Sequence, residues 1–188
     1  MKIHNFNDLN IISDALNDNK CIILPTDTIM GILAKNDKLI YHIKKRPADK
    51  PIVRFVANYD LLGDLTIAQK QFLDIIWPGQ ITVIKNNIAY RMPNSLPILK
   101  LIQKHGPLYC SSANLSGEAP VLNEQEAIFK FGANSNILYI QGQAKTTLPS
   151  TIIDIDRWQY IRKGANVRLV EEFLNDLHGN NPKNSTKL

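Results

Sequence analysis

Cysteine is scarce in this 188-residue chain: Cys21 and Cys110 stand alone, each inside a short apolar run and neither in a CxxC pair. That spacing argues against a zinc ribbon or a disulfide framework and predicts two buried, reduced thiols. Long apolar runs are missing too. No stretch reaches the roughly 18 residues needed to cross a bilayer, and Asn and Asp occupy the N-terminal region where an export signal would be apolar. These absences predict a cytoplasmic protein without a membrane role. Aromatic residues make up only 7%, and no RNP-like stacking motif supports a single-stranded RNA platform. GxxxxGK[ST], GxGxxG after a strand, GxSxG and HExxH are all absent, so four familiar mechanisms lose their sequence basis. His4, His42, His105 and His178 lack ligand-like spacing, and no dedicated metal site is expected.

Apolar residues supply 44% of the chain, enough at this length for one good core, which predicts a single domain over residues 1–178. The net charge of +5 favours anionic partners, whether nucleotides, RNA or phosphorylated substrates, without choosing among them. Helical spacing predicts helices over 6–20, 39–45, 67–77, 95–105, 123–131 and 167–177. Compact apolar runs predict strands at 21–24, 52–57, 81–84, 108–110, 137–140, 151–155 and 160–162. The alternation implies an α/β layer. The close spacing of the late strands predicts a twisted mixed sheet with flanking helices in place of an entirely parallel one. Residues 179–188 are almost wholly polar and read as a frayed tail.

Three segments carry possible chemistry. In Pro25-Thr26-Asp27-Thr28-Ile29-Met30-Gly31 a buried strand ends in hydroxyls, a carboxylate and a glycine; this is a possible ligand-binding strand end, or an ordinary turn whose polar groups satisfy backbone donors. Lys44-Lys45-Arg46-Pro47-Ala48-Asp49-Lys50-Pro51 brings four cations into seven residues, which suits a polyphosphate clamp as well as a solvated basic loop. Ser111-Ser112-Ala113-Asn114-Leu115-Ser116-Gly117 follows a predicted strand and offers small hydrogen-bonding groups for phosphate or ribose. No histidine-acid pair accompanies it, so a serine nucleophile is rejected.

Taken in order, PTDTIMG, KKRPADKP, WPG, YRMP, SSANLSG, PSTIID and RKG resemble the YrdC-like threonylcarbamoyl-AMP synthase family in its short, single-domain bacterial form, over roughly residues 7–178. The resemblance implies a YrdC-like (DHBP synthase-like) fold and a nucleotidyltransferase that forms threonylcarbamoyl-AMP and pyrophosphate from L-threonine, bicarbonate or CO2, and ATP. It implies catalytic roles for Lys44, Arg46, Ser112 and Asn114. ATP contacts would come from those four with Lys50 and Arg162, and L-threonine contacts from Thr28, Arg91, Ser150 and Cys110. Mg2+ would accompany ATP, with separate threonylcarbamoyl-transfer proteins downstream and a possible tRNA contact. Met30 stands where the family usually has an aromatic residue, and the segments from Gly31 to Lys44 and from WPG to YRMP are short. The alternatives are an RNA-binding module of the same fold, or a carbamoyl-transfer domain like that of hydrogenase-maturation proteins.

Overall fold

A computed structural model describes residues 3–179; the predicted tail lies outside them except for Gly179. The elements are α1 (Leu9–Asn17), β1 (Cys21–Pro25), β2 (Met30–Ala34), α2 (Asp37–Lys44), β3 (Val53–Phe55), a 3-10 turn (Asp60–Leu62), α3 (Ile67–Ile76), β4 (Ile81–Lys85), β5 (Ile88–Arg91), α4 (Leu96–His105), β6 (Leu108–Ser112), α5 (Glu124–Phe131), β7 (Ile137–Tyr139), β8 (Thr151–Asp154), β9 (Gln159–Arg162) and α6 (Val167–Gly179). All nine strands form one sheet in the order β7-β1-β2-β6-β3-β5-β4-β8-β9. Three neighbouring pairs are parallel, β7 with β1, β3 with β5 and β4 with β8, and the others are antiparallel. The mixed α/β architecture is the one expected.

Two strands differ from the sequence expectation. Residues 30–34 form β2 where no strand was predicted, turning the first motif into a hairpin in which Pro25 pairs with Met30 and Leu24 with Gly31. Residues 88–91 form β5, which folds back antiparallel on β4 after Asn86 and Asn87, both in the left-handed region. Asparagine tolerates that conformation because its short polar side chain can bond locally.

The apolar alternation explains the layers. In β1, Ile22 and Leu24 pack against Ile12 and Leu16 of α1 and Ile98, Leu101 and Ile102 of α4. Cys21 and Ile23 point the other way, toward Ile40 and Ile43 of α2 and Ala127 of α5. A strand covered on both faces must read as a continuous apolar run, as Cys21-Ile22-Ile23-Leu24 does. The other end of the sheet has α3 and α6 on one face, where Phe72, Leu73 and Val170 meet Ile81, Val83 and Ile153. On its opposite face, Thr82 and Ile152 line a cavity instead of a core.

Candidate active site

That cavity has a volume of about 340 Å³, the scale of a small-molecule site. The β1–β2 turn supplies Thr26 and Thr28, the loop after α2 supplies Arg46, the end of β5 supplies Arg91, β6 and its following loop supply Cys110, Ser112 and Asn114, and β8 and β9 bring Ser150 and Arg162. Gly31 makes the turn and β6 fit together. A Cβ there would lie 2.7 Å from Thr26 Cγ2 and 3.3 Å from Cys110 Sγ.

Arg91 is 4% exposed. Its Nη2 donates to Asp27 Oδ1 at 2.5 Å, its Nη1 to Thr28 Oγ1 at 3.2 Å and its Nε to the Gly79 carbonyl at 2.9 Å. Asp27 is buried as well, and its second oxygen accepts the Asn94 N–H at 3.0 Å. On the other wall, Arg162 donates from Nε and Nη2 to the Ser150 carbonyl at 3.1 and 2.9 Å, and from Nη2 to Ser150 Oγ at 3.2 Å. Ser150 Oγ lies 2.9 Å from Thr82 Oγ1, and Thr82 is fully buried. Burial, then the nearby Arg91 charge, lowers the Arg162 pKa, yet a guanidinium remains charged at neutral pH. Arg162 makes no ion pair with a carboxylate among the described residues.

The basic loop behaves differently from its appearance in sequence. Lys44 is completely buried and is absent from the cavity wall. Its ammonium donates to the Ser112 carbonyl, to the Asn114 carbonyl at 2.7 Å and to Asn114 Oδ1 at 3.1 Å. Burial first, and the Arg46 charge second, push its pKa down to about 8. Lys44 thus supports the Ser112–Asn114 loop from beneath, with every N–H of the ammonium facing a protein oxygen. Asn114 Oδ1 also accepts from Ser112 Oγ at 2.5 Å, while its Nδ2 donates to the Leu115 and Glu118 carbonyls. Arg46 lines the cavity and holds its own loop in shape through the Lys50 and Pro51 carbonyls, at 3.1 and 3.0 Å. Lys50 is exposed and outside the wall, because its backbone carbonyl, not its charge, faces Arg46 and Tyr41.

The structure thus gathers Thr28, Arg46, Arg91, Cys110, Ser112, Asn114, Ser150 and Arg162 around one space and leaves Lys44 and Lys50 outside it. Three guanidinium groups face a single lining carboxylate, Glu118, which is itself bridged to Lys130. Such an excess attracts anions. Cys110 contributes an apolar surface: its burial pushes the thiol to about 12, so it is protonated and a poor nucleophile at neutral pH. No group of three or more His, Cys, Asp and Glu residues lies together among the described residues. Sequence reading missed Thr82 and the Asp27–Arg91 pair. Thr82 had a signal, a hydroxyl inside the apolar strand Ile81-Thr82-Val83-Ile84; the ion pair spans 64 residues and had none.

A mixed sheet whose uncovered face carries an arginine-rich, hydroxyl-lined cavity defines an α/β protein built to hold a small anionic ligand. The chain belongs to the Sua5/YciO/YrdC family, whose sequence model, described as "Telomere recombination", matches residues 14–164. It is 34% identical to a threonylcarbamoyl-AMP synthase of Wigglesworthia glossinidia brevipalpis, over 85% of this chain and 95% of the relative. It is also 31% identical to an uncharacterized protein, the MG259 homolog, of Mycoplasma pneumoniae, over 78% of this chain. The match spans about a third of that Mycoplasma protein (32%), and about a fifth (21%) of a second from Mycoplasma genitalium. The fold superposes on crystalline Sua5 from P. abyssi, complexed with L-threonine, with a TM-score of 0.81 at 23% identity, covering 93% of this chain and 61% of that one. Among the described residues no helix is long and apolar enough to cross a membrane.

Proposed function

We propose that this protein condenses L-threonine, bicarbonate or CO2, and ATP into threonylcarbamoyl-AMP, releasing pyrophosphate. The observation that carries the reading is the single cavity where Arg46, Arg91 and Arg162 converge with Thr28, Ser112 and Ser150, in a chain of this family. In this reading the threonine amine adds to CO2 and loses a proton to give a carbamate. A carbamate oxygen then bonds to the ATP α-phosphorus as the bond to the pyrophosphate oxygen breaks. No protein nucleophile is needed, so catalysis rests on alignment and charge neutralisation.

The two sides of the cavity suit different ends of this reaction. Arg91 and Thr28, with the apolar edge of Cys110 and with Ser150 reaching in from the Arg162 wall, suit an amino acid, whose carboxylate a guanidinium grips at two points. Arg46 and Arg162, with the Ser112–Asn114 loop held from below by Lys44, suit the nucleotide phosphates. Lys50, exposed on the same loop as Arg46, offers the phosphates a further cation. Mg2+ fits as an ion carried by phosphate and water, because the wall offers one carboxylate and that one is already paired. When bound it would neutralise phosphate charge. Cytoplasmic location, delivery to separate threonylcarbamoyl-transfer proteins and direct tRNA contact belong to the same proposal.

Incubation with ATP, Mg2+, bicarbonate and labelled L-threonine, followed by mass spectrometry, tests it. The expected result is threonylcarbamoyl-AMP that requires every substrate and is lost in Arg46→Ala. Absence of product together with no binding of ATP or threonine would sink the enzyme reading and leave RNA as the ligand to test.

A further inference from the structure

Arg91 offers five N–H groups, and three are committed: Nε to the Gly79 carbonyl, one on Nη1 to Thr28 Oγ1 and one on Nη2 to Asp27 Oδ1. One N–H remains on each terminal nitrogen, two donors left for a carboxylate. Asp27 sits behind this arrangement. It is 4% exposed and does not line the cavity, whereas Arg91 does. Its two oxygens serve two different donors, the Arg91 guanidinium and the backbone N–H of Asn94, three residues beyond the strand that carries Arg91. The Asp27 carbonyl in turn accepts from Gln80 Nε2 at 2.5 Å, beside the Gly79 carbonyl that holds Nε.

We infer that Asp27 is a positioning residue for the amino-acid end of the cavity, acting through Arg91; the inference rests on the proposed synthase reading. A carboxylate is required because it alone accepts at both oxygens. An amide in its place would turn an NH2 toward either Arg91 or Asn94 and lose one of the two bonds. The consequence is selective: the guanidinium would no longer be fixed against the β1–β2 turn, so threonine binding suffers while the Arg46 and Arg162 side of the cavity does not.

The test is a double-mutant cycle of Asp27→Asn and Arg91→Gln, read by calorimetric titration of L-threonine and of ATP, with product formation followed in parallel. Asp27→Asn is expected to weaken threonine by roughly tenfold or more and ATP by no more than about twofold, and Asp27→Asn in the Arg91→Gln background to add nothing further. Should Asp27→Asn alone fail to fold with an unpaired buried guanidinium, comparison of Arg91→Gln with the double variant still decides, because neither leaves that cation behind. Equal losses for ATP and threonine, an unchanged threonine affinity, or an additional loss in the Arg91→Gln background each overturn the inference while a productive wild type keeps the synthase reading standing. A wild type that binds no threonine and forms no product removes the reading, and the role of Asp27 with it.

Discussion

The ammonium of Lys44 reaches three oxygens of the Ser112–Asn114 loop, and a methionine there would keep the volume while orphaning buried carbonyls. Lys44→Met is expected to cost about 2–3 kcal/mol of stability at neutral pH, the range for losing hydrogen bonds to a charged donor. The loss also has a pH signature. Lys44 titrates at about 8 in the folded protein against 10.5 for a free lysine. Between those values the unfolded chain holds a proton that the folded chain has released, so this group adds stability as pH rises through the window and withholds it below about 8. Urea midpoints from neutral pH to about 10 should therefore show the wild type widening its lead over Lys44→Met; a gap that stays constant or narrows would contradict a depressed Lys44. At this scale the sequence was readable for residue type but not for exposure. Lys44-Lys45-Arg46 looks like a uniformly solvated cluster, yet Lys44 closes α2 on its buried side, Lys45 takes a left-handed cap, and only Arg46 turns into the cavity.

Among the elements, those with strong punctuation were legible. Helix α3 begins with a reciprocal capping box between Thr66 and Gln69, at 3.2 and 3.0 Å, and α5 begins with Asn123 accepting the Glu126 N–H. Helix α3 also packs on the face opposite the cavity, through Phe72, Leu73 and Ile76. Thr66→Ala should therefore lower stability by about 1 kcal/mol and leave steady-state constants at 25 °C unchanged; a shift in substrate KM would show that α3 reaches the site. Of the two unexpected strands, β2 lacked such punctuation and β5 had only the Asn86-Asn87 turn before it. Strand β2 follows the polar Thr26-Asp27-Thr28 without a break, and its Gly31 reads as a turn residue when it is there for close approach to Thr26 and Cys110. Strand β5 has only four residues, and its burial comes from β3 on one side and β4 on the other. Strand β4 adjoins it across the Asn86-Asn87 turn, but β3 lies more than 30 residues earlier in the chain.

Across the whole molecule, the two thiols report on a covered face of the sheet and on the cavity wall. Cys21 and Cys110 are free, buried and each pushed to about 12 by burial. Iodoacetamide at neutral pH should leave both unlabelled in the native protein and label both in denaturant. Rapid labelling of Cys110 alone would show that the cavity wall opens without global unfolding. The α/β class and the mixed sheet were legible because they follow from alternation and strand spacing. The division of the cationic residues between cavity and support was not, since it depends on contacts between distant parts of the chain.

Strand β8 reaches its place by pairing in parallel with β4, Ile81 beside Thr151, and it carries Ser150 and, through β9, Arg162 into a cavity whose other walls come from residues up to Pro120. A ribosome releasing this chain from its N-terminus would expose those earlier walls first, without the arginine that faces them. The pocket is thus closed by the late strands, as a drawer is closed by its last panel. A nascent or truncated chain ending before Pro149 would retain Arg46 and Arg91 yet have no means of trapping a ligand between them and Arg162, so capture of the small molecule coincides with completion of the sheet.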